Sequence, residues 1–287
     1  MKKHLVPFLA AVAIGIAIFA LPLLTLAEMS RHSELYSHML FIPIISLYLF
    51  VMDRKTLFET AEYAVIPGLA VMVAGLASYG CALFFREPLG TNDYLSAAMA
   101  GFLLWVIGSY ICFWGSEAFK KAMFPLFFLA FMVPVPTVLM EWVISFLQHR
   151  SADAVQLVFD AIRFPYLREG VTFEVQGGFA ISVAKECSGI RSSLALLITV
   201  VLAGKMFLRS GWRRLVLALC IIPLTIFKNA LRITSLTLLA SKVDMSWLTN
   251  SWLHKSGGIV YFSIALCILI PILWGLRKTE PSSMTVP

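Results

Sequence analysis

Charged residues are scarce in this sequence. Asp, Glu, Lys and Arg make up 14% of the 287 residues, hydrophobic residues make up 60%, and the mean hydropathy is +0.86. Soluble globular domains carry about a quarter charged residues and are roughly half apolar. The composition therefore excludes an ordinary soluble domain and indicates a polytopic membrane protein.

Clusters typical of metal, disulfide or nucleic-acid chemistry are also missing. No two of the five cysteines have CxxC spacing and no even set stands at framework spacing, so neither a zinc site nor a disulfide scaffold is expected. Four cysteines lie in apolar runs, where a thiol behaves as a small hydrophobe: Cys81, Cys112, Cys220 and Cys267. The net charge of +7 forms no basic stripe, which argues against nucleic-acid binding.

Apolar runs long enough to cross a bilayer recur along the chain. The first is longer than the apolar region of a typical signal peptide, so we interpret it as a span, with a cleaved signal peptide as the alternative. The predicted spans are eight: 5–26, 36–51, 63–85, 94–114, 122–140, 189–208, 215–240 and 257–276.

Lys and Arg in the short connections predict the orientation. Alternate connections are basic: Lys2 and Lys3, Arg54 and Lys55, Lys120 and Lys121, then Lys205, Arg209, Arg213 and Arg214, and finally Arg277 and Lys278. The other short connections hold only Arg31, Arg86, and Lys242 with Lys255. Both termini are therefore predicted to be cytoplasmic, and the inserted segment 141–188 is predicted to lie outside.

The outer segment has two patterns. From Glu141 to Ile162, apolar residues recur at helical spacing opposite Gln148, Arg150, Asp153 and Asp160, which predicts a helix in the membrane interface. The apolar set is Val143, Phe146, Leu147, Val155, Val158, Phe159 and Ile162. Apolar and polar residues then alternate on both sides of Gly177 and Gly178, which predicts a β-hairpin.

Three residues on the predicted outer face are candidates for chemistry. Cys187 follows the hairpin at the start of the sixth span, where a helix N-terminus or cation favours a thiolate; the alternative is an inert buried thiol. Arg232 stands inside an apolar run and could stabilise an oxyanion, or it could extend its side chain to the interface. His254 could transfer protons, or it could be a structural interfacial histidine.

Three motifs around these residues resemble the exosortase and archaeosortase family of membrane cysteine enzymes. They are Glu186-Cys187-Ser188-Gly189-Ile190-Arg191-Ser192, Asn229-Ala230-Leu231-Arg232 and His254-Lys255-Ser256-Gly257. Two further stretches are also similar to the family: Phe124-Pro125-Leu126-Phe127-Phe128-Leu129 and Met132-Val133-Pro134-Val135-Pro136. A histidine at the third position suits the bacterial branch.

The resemblance implies a catalytic set of Cys187, Arg232 and His254, supported by Ser188, Gly189, Arg191 and Asn229. It implies a multi-pass protein of the cell (inner) membrane that cleaves PEP-CTERM-like C-terminal sorting signals of membrane-anchored substrates. The product acyl group would pass to another nucleophile, without a cofactor or metal. The bilayer and the substrate would be its partners, and the oligomeric state stays open.

Two other functions fit the same residues. An intramembrane-type cysteine endopeptidase would use water as acceptor. A transporter or polysaccharide-export component would bind an anion with Arg232 and Lys228. In every case the expected organisation is an all-α membrane domain over 1–278 with a small extracytoplasmic hairpin, followed by a disordered tail over 279–287.

Overall fold

A computed structural model describes residues 2–33, 35–57, 62–175, 178–183, 190–249 and 252–280. The chain packs as two compact units, residues 1–140 and 141–287. Each is described by itself.

The first unit is helical in its described part. Its helices are α1 (Lys2–Ile18), α2 (Ala20–His32), α3 (Ile42–Met52), α4 (Arg54–Leu57), α5 (Val65–Phe84) and α6 (Arg86–Phe128), with 3₁₀ turns at Ser37–Leu40 and Leu129–Met132. The helix α7 (Thr137–Ala161) begins in this unit and continues into the second.

Glycines let α5 and α6 pack at backbone contact. A Cβ added at Gly75 would stand 2.6 Å from the carbonyl oxygen of Gly101, and one added at Gly108 would stand 2.7 Å from that of Gly68. Small residues at such an interface strengthen packing between helices in lipid, where no hydrophobic effect drives helix association. These glycines therefore hold the two longest apolar helices of the unit together.

The helix α6 is broken at Gly115, whose φ of 85° lies in the left-handed region that glycine adopts without strain. A Cβ there would also meet the carbonyl oxygen of Glu62 at 2.6 Å. The break agrees with the predicted end of the fourth span at residue 114.

The polytopic helical class is confirmed, but the count of spans differs from the prediction. Among the described residues, five helical stretches are long and apolar enough to cross a membrane, or six if the pair Lys3–Ile18 and Ala20–His32, bent by 72°, is one span. Eight were predicted. The second predicted span corresponds to the shorter apolar stretch Ser37–Met52, and Arg86–Met132 counts once although Gly115 divides it.

The predicted fifth span, 122–140, is interrupted: residues 133–136, which include Pro134 and Pro136, are not helical, as expected of prolines, which lack an amide donor. Side chains of α6 hold this turn. Asn92 Nδ2 donates to the carbonyl oxygen of Val135 at 2.9 Å, and Ser96 Oγ donates to that of Pro134 at 2.7 Å. The start of α7 is thereby positioned by two buried or half-buried hydrogen bonds.

In its described residues the second unit contains the rest of α7, three strands and five further helices. The strands are β1 (Tyr166–Glu169), β2 (Thr172–Val175) and β3 (Phe179–Ser182), paired antiparallel in the order β1-β2-β3. The helices are α8 (Ile190–Phe207), α9 (Gly211–Leu219), α10 (Ile221–Lys242), α11 (Ser246–Thr249) and α12 (Trp252–Lys278).

The sheet contains the predicted hairpin, β2 and β3, and a third strand, β1, that the alternation did not indicate. Phe173, Val175, Ile181 and Val183 are buried, as the period-two pattern predicts. They pack on α7 in a core whose buried members are Ala152, Val155, Phe159, Phe173, Val175, Ile181, Val183, Ala230 and Ile233.

The apolar face predicted for α7 is buried within the protein only in part. Leu147, Val155 and Phe159 are buried, whereas Val158 and Ile162 are exposed. Ser151 instead completes the buried stripe with 0% exposure. A hydroxyl in this position has to be hydrogen-bonded, and its partner lies in α10.

Four helices form the second core of this unit. The buried side chains are Leu196 and Val200 of α8, Leu217 of α9, Ile221 and Leu224 of α10, Ala265 and Leu269 of α12, and Leu208 between α8 and α9. Of the predicted tail, Thr279 and Glu280 are described and hydrogen-bonded, and residues 281–287 lie outside the described part.

Candidate functional site

The predicted site residues are described to different extents. Cys187, Ser188 and Gly189 lie outside the described residues, and His254 is described only as backbone in the first turn of α12. Arg232 is half-buried in the middle of α10. The proximity of the three catalytic candidates therefore stays a prediction, and the surroundings of Arg232 can be examined directly.

One side of α10 is polar within an otherwise apolar helix. Lys228 is 3% exposed and Asn229 is 1% exposed. Arg232 follows Lys228 by four residues, so both cations lie on the same face of the helix, one turn apart. Polar and charged groups inside a membrane helix are costly and face partners or a polar cavity, so this face is the best candidate for function.

The sequence predicts a role for Lys228 only in the transporter alternative, yet the structure buries this side chain one turn from Arg232. Its ammonium Nζ donates to Ser192 Oγ at 2.5 Å, in the first turns of α8. Among the described residues it has no ion pair with a carboxylate. The signal that could have identified it was its position one helical turn before Arg232.

The direction of α8 relative to α10 places Arg232 near the start of α8. Lys228 contacts Ser192, while Ile221 and Leu224 share a core with Leu196 and Val200, so the two helices run antiparallel. One turn from Lys228 towards Arg232 is therefore one turn towards the N-terminus of α8. The segment that contains Cys187 directly precedes this helix in the sequence.

Asn229, a predicted supporting residue, joins α10 to α7. Its Nδ2 donates to Ser151 Oγ of α7 at 3.0 Å, and both side chains are buried. The neighbouring Ala230 and Ile233 belong to the core formed by α7 and the sheet. This contact holds the face that carries Lys228 and Arg232 in a definite position relative to α7.

The end of the sheet is equally well anchored. The Val183 amide donates to the carbonyl oxygen of Val171 at 3.0 Å, and Gln148 Nε2 of α7 donates to the Val183 carbonyl oxygen at 2.6 Å. Val183 is fully buried. The chain thus leaves a fixed strand at Val183 and enters α8 at Ile190, with Cys187 in the six residues between them.

The helix that carries His254 contacts α10 further along the chain. Ser235 and Tyr261 share a hydrogen bond through their hydroxyl oxygens, and Ser235 Oγ also donates to the Arg232 carbonyl oxygen at 3.0 Å. His254 precedes Tyr261 by two turns and Arg232 precedes Ser235 by three residues. On antiparallel helices this offsets the two backbones by roughly 15 Å, so the structure does not bring them to one level.

Arg191, the remaining predicted supporting residue, lies in the first turn of α8 with an exposed side chain. Together with Lys228 and Arg232 it gives three cations among the described residues around the α8 start. A positive environment at a helix N-terminus favours the ionised form of a thiol or of a developing oxyanion. No group of three or more metal-ligating side chains occurs within the described ranges.

Comparison with known proteins gives one match. The family model for transmembrane exosortases matches residues 28–271, a range that includes Cys187, Arg232 and His254. No curated protein and no solved structure matches the chain.

Proposed function

This chain belongs to the transmembrane exosortase family, and we propose that it is a cysteine peptidase and transpeptidase acting on C-terminal sorting signals of secreted proteins. The substrates would carry a PEP-CTERM-like tail whose apolar segment resides in the same inner membrane. Both termini of the enzyme would be cytoplasmic, and the site would open to the extracytoplasmic face.

The observation that carries the proposal is the cationic face of α10 beside the start of α8. Lys228 contacts Ser192, which follows Cys187 by five residues, and Arg232 lies one turn nearer to the start of α8. A peptidase needs a stabilised nucleophile and a donor for the oxyanion, and this arrangement supports both roles. Asn229, held by Ser151, supports them by fixing the helix.

In the proposed reaction the Cys187 thiolate attacks the carbonyl carbon of the scissile peptide. A C–S bond forms and the carbonyl electron pair moves to oxygen, where Arg232 donates hydrogen bonds to the oxyanion. Collapse of this intermediate breaks the C–N bond. The leaving amine receives the proton that His254 took from the thiol, and a thioester remains.

Transfer completes the cycle. An acceptor nucleophile gives a proton to His254 and attacks the thioester carbonyl, the C–S bond breaks, and the thiol is restored. The backbones of His254 and Arg232 are offset by roughly 15 Å, so the role of His254 needs a test of its own. If replacing His254 lowers the processing rate only modestly, another base transfers the proton, and the roles of Cys187 and Arg232 are unaffected.

The decisive experiment replaces Cys187 by Ala and follows processing of a membrane-anchored reporter with a C-terminal sorting signal. We expect processing to stop, since no other side chain in the proposal can form the thioester. Cys267→Ala is the matched control, because it removes an exposed thiol from the apolar α12 and should leave processing unchanged. Normal processing by the Cys187→Ala enzyme would overturn the peptidase assignment and favour the transporter.

The mass of the released product distinguishes transfer from hydrolysis. A transpeptidase leaves the new C-terminus joined to an acceptor group, whereas an endopeptidase that uses water leaves a free carboxylate. If only the free carboxylate is found in cells, water hydrolyses the thioester and no transfer to an acceptor takes place.

A further inference from the structure

A second cationic site lies in the second unit at the C-terminal ends of α8 and α12, away from the start of α8. It is a cavity of about 440 Å³ lined by Lys205, Met206, Phe207, Leu208, Arg209, Arg214, Arg277 and Glu280. Four of these side chains are cations and one is a carboxylate. The cavity therefore has an excess of positive charge that an anionic ligand would neutralise.

The walls of the cavity are held by hydrogen bonds to backbone groups. Arg214 donates from Nε and Nη2 to the carbonyl oxygen of Leu208, at 2.9 and 2.8 Å, so it fixes the turn between α8 and α9. Glu280 Oε1 accepts from the amides of Arg209 and Ser210, at 2.8 and 3.1 Å. The one carboxylate of the lining is thus held by backbone amides and attracted by Arg213 and Arg209, and the lining still has three more cations than carboxylates.

The surroundings indicate the depth of the cavity in the bilayer. Trp212 of α9 and Trp274 of α12 are 65% and 58% exposed, and Lys278 Nζ stands 3.6 Å from the centre of the Trp274 ring. Exposed tryptophans with nearby Lys or Arg are typical of the boundary between hydrocarbon and headgroups. Phe207 and Met206, both exposed, place apolar surface at the cavity itself.

We propose that this cavity binds the phosphate headgroup of an anionic glycerophospholipid, whose acyl chains lie along the exposed apolar surface next to it. Basic pockets between membrane helices recognise acidic headgroups in this way. A lipid is favoured over a soluble anion because the same cavity is lined by cations and by exposed apolar side chains. The site lies apart from the proposed catalytic residues and does not depend on the peptidase assignment.

The test measures binding of phosphatidylglycerol to the full-length protein in mixed micelles with phosphatidylcholine. The variant is Arg209→Gln with Arg277→Gln, because both side chains are exposed and neither holds the α8–α9 turn through its guanidinium. We expect phosphatidylglycerol affinity to fall about tenfold or more, with phosphatidylcholine binding unchanged. The matched control, Lys120→Gln with Lys121→Gln, removes the same charge from the first unit and should change affinity less than about twofold.

Two results would overturn the proposal. Equal losses in the variant and in the control would reduce the effect to net charge. Displacement of the lipid by millimolar inorganic phosphate would identify a soluble anion as the ligand. Circular dichroism of the variant provides the check on folding, and a variant that retains its helicity and its affinity would likewise exclude this cavity as the lipid site.

Discussion

The two cationic regions of the second unit use the same residue types in opposite ways. On α10, Lys228 is buried and donates a hydrogen bond to the hydroxyl oxygen of Ser192. At the α8 and α12 ends, Arg209 and Arg277 are exposed and line an open cavity. Burial raises the free-energy cost of a cation and strengthens its electrostatic effect on a neighbouring charge, whereas exposure to solvent lowers both. We therefore infer a catalytic role for the first region and binding of an anionic lipid headgroup for the second.

Replacing the arginines of the two regions should give the largest contrast. We expect Arg232→Ala to lower the rate of reporter processing by roughly 10²- to 10³-fold, because loss of one oxyanion donor costs about that much in comparable sites. Arg277→Ala should change the rate of reporter processing by less than about twofold. Arg232→Lys then tests whether the planar guanidinium is needed. Similar rates for the Arg232→Ala and Arg277→Ala enzymes would remove Arg232 from the mechanism.

The Lys228→Met variant separates function from folding. Replacement of a buried charge by an apolar side chain of similar length is commonly neutral or stabilising, so we expect no loss of thermal stability. The pH at which Cys187 reacts with iodoacetamide should rise by about one unit, because a cation that favours the thiolate is lost. The measurement uses a protein in which the other four cysteines are replaced. An unchanged alkylation profile would leave Lys228 with a structural role only.

The hydrogen bond between Asn229 and Ser151 should contribute to stability on a smaller scale. Ser151→Ala leaves the buried amide of Asn229 without this partner and is expected to cost about 1–3 kcal/mol in the free energy of unfolding. Ser145→Ala, at an exposed position of the same helix, should cost less than about 0.5 kcal/mol. A double-mutant cycle with Asn229→Leu measures the coupling, and a coupling near zero would show that the bond does not hold α7 to α10.

The smallest expected effect concerns Glu280 in the exposed region. Hydrogen bonds from the backbone amides of Ser210 and Arg209 lower the pKa of this carboxyl below its usual value. Because the folded-state pKa is depressed, the stabilisation is present above about pH 4.3 and is lost as the pH falls through the folded-state pKa. Hydrogen exchange at the Arg209 and Ser210 amides should therefore accelerate below that range relative to neighbouring amides. In Glu280→Gln this acid dependence should disappear, and its persistence would assign it to another group.

Much of the fold could be predicted from local patterns. The end of the fourth span near Gly115 and the alternation around Phe173 and Ile181 could be predicted, because each depends on neighbours in the sequence. The strand β1 was missed, since Tyr166–Glu169 places two apolar residues before two charged ones and so does not alternate. Eight spans were predicted, but among the described residues only five or six helical stretches are long and apolar enough to cross a membrane. Hydropathy does not reveal that a helix bends or continues through a break.

For the candidate site, the sequence alone identified the unusual residues: a cysteine outside the apolar runs, an arginine inside one, and the family to which these motifs belong. Those are properties of composition and order along the chain. Only the tertiary structure decided that Lys228 reaches Ser192 and that Asn229 bonds to Ser151. It also decided that Arg232 lies near the start of α8, whereas the backbone of His254, in the first turn of α12, is offset along the helix axis from Arg232. Such contacts join residues far apart in sequence, and they depend on the direction and rotation with which helices pack, which no local pattern specifies.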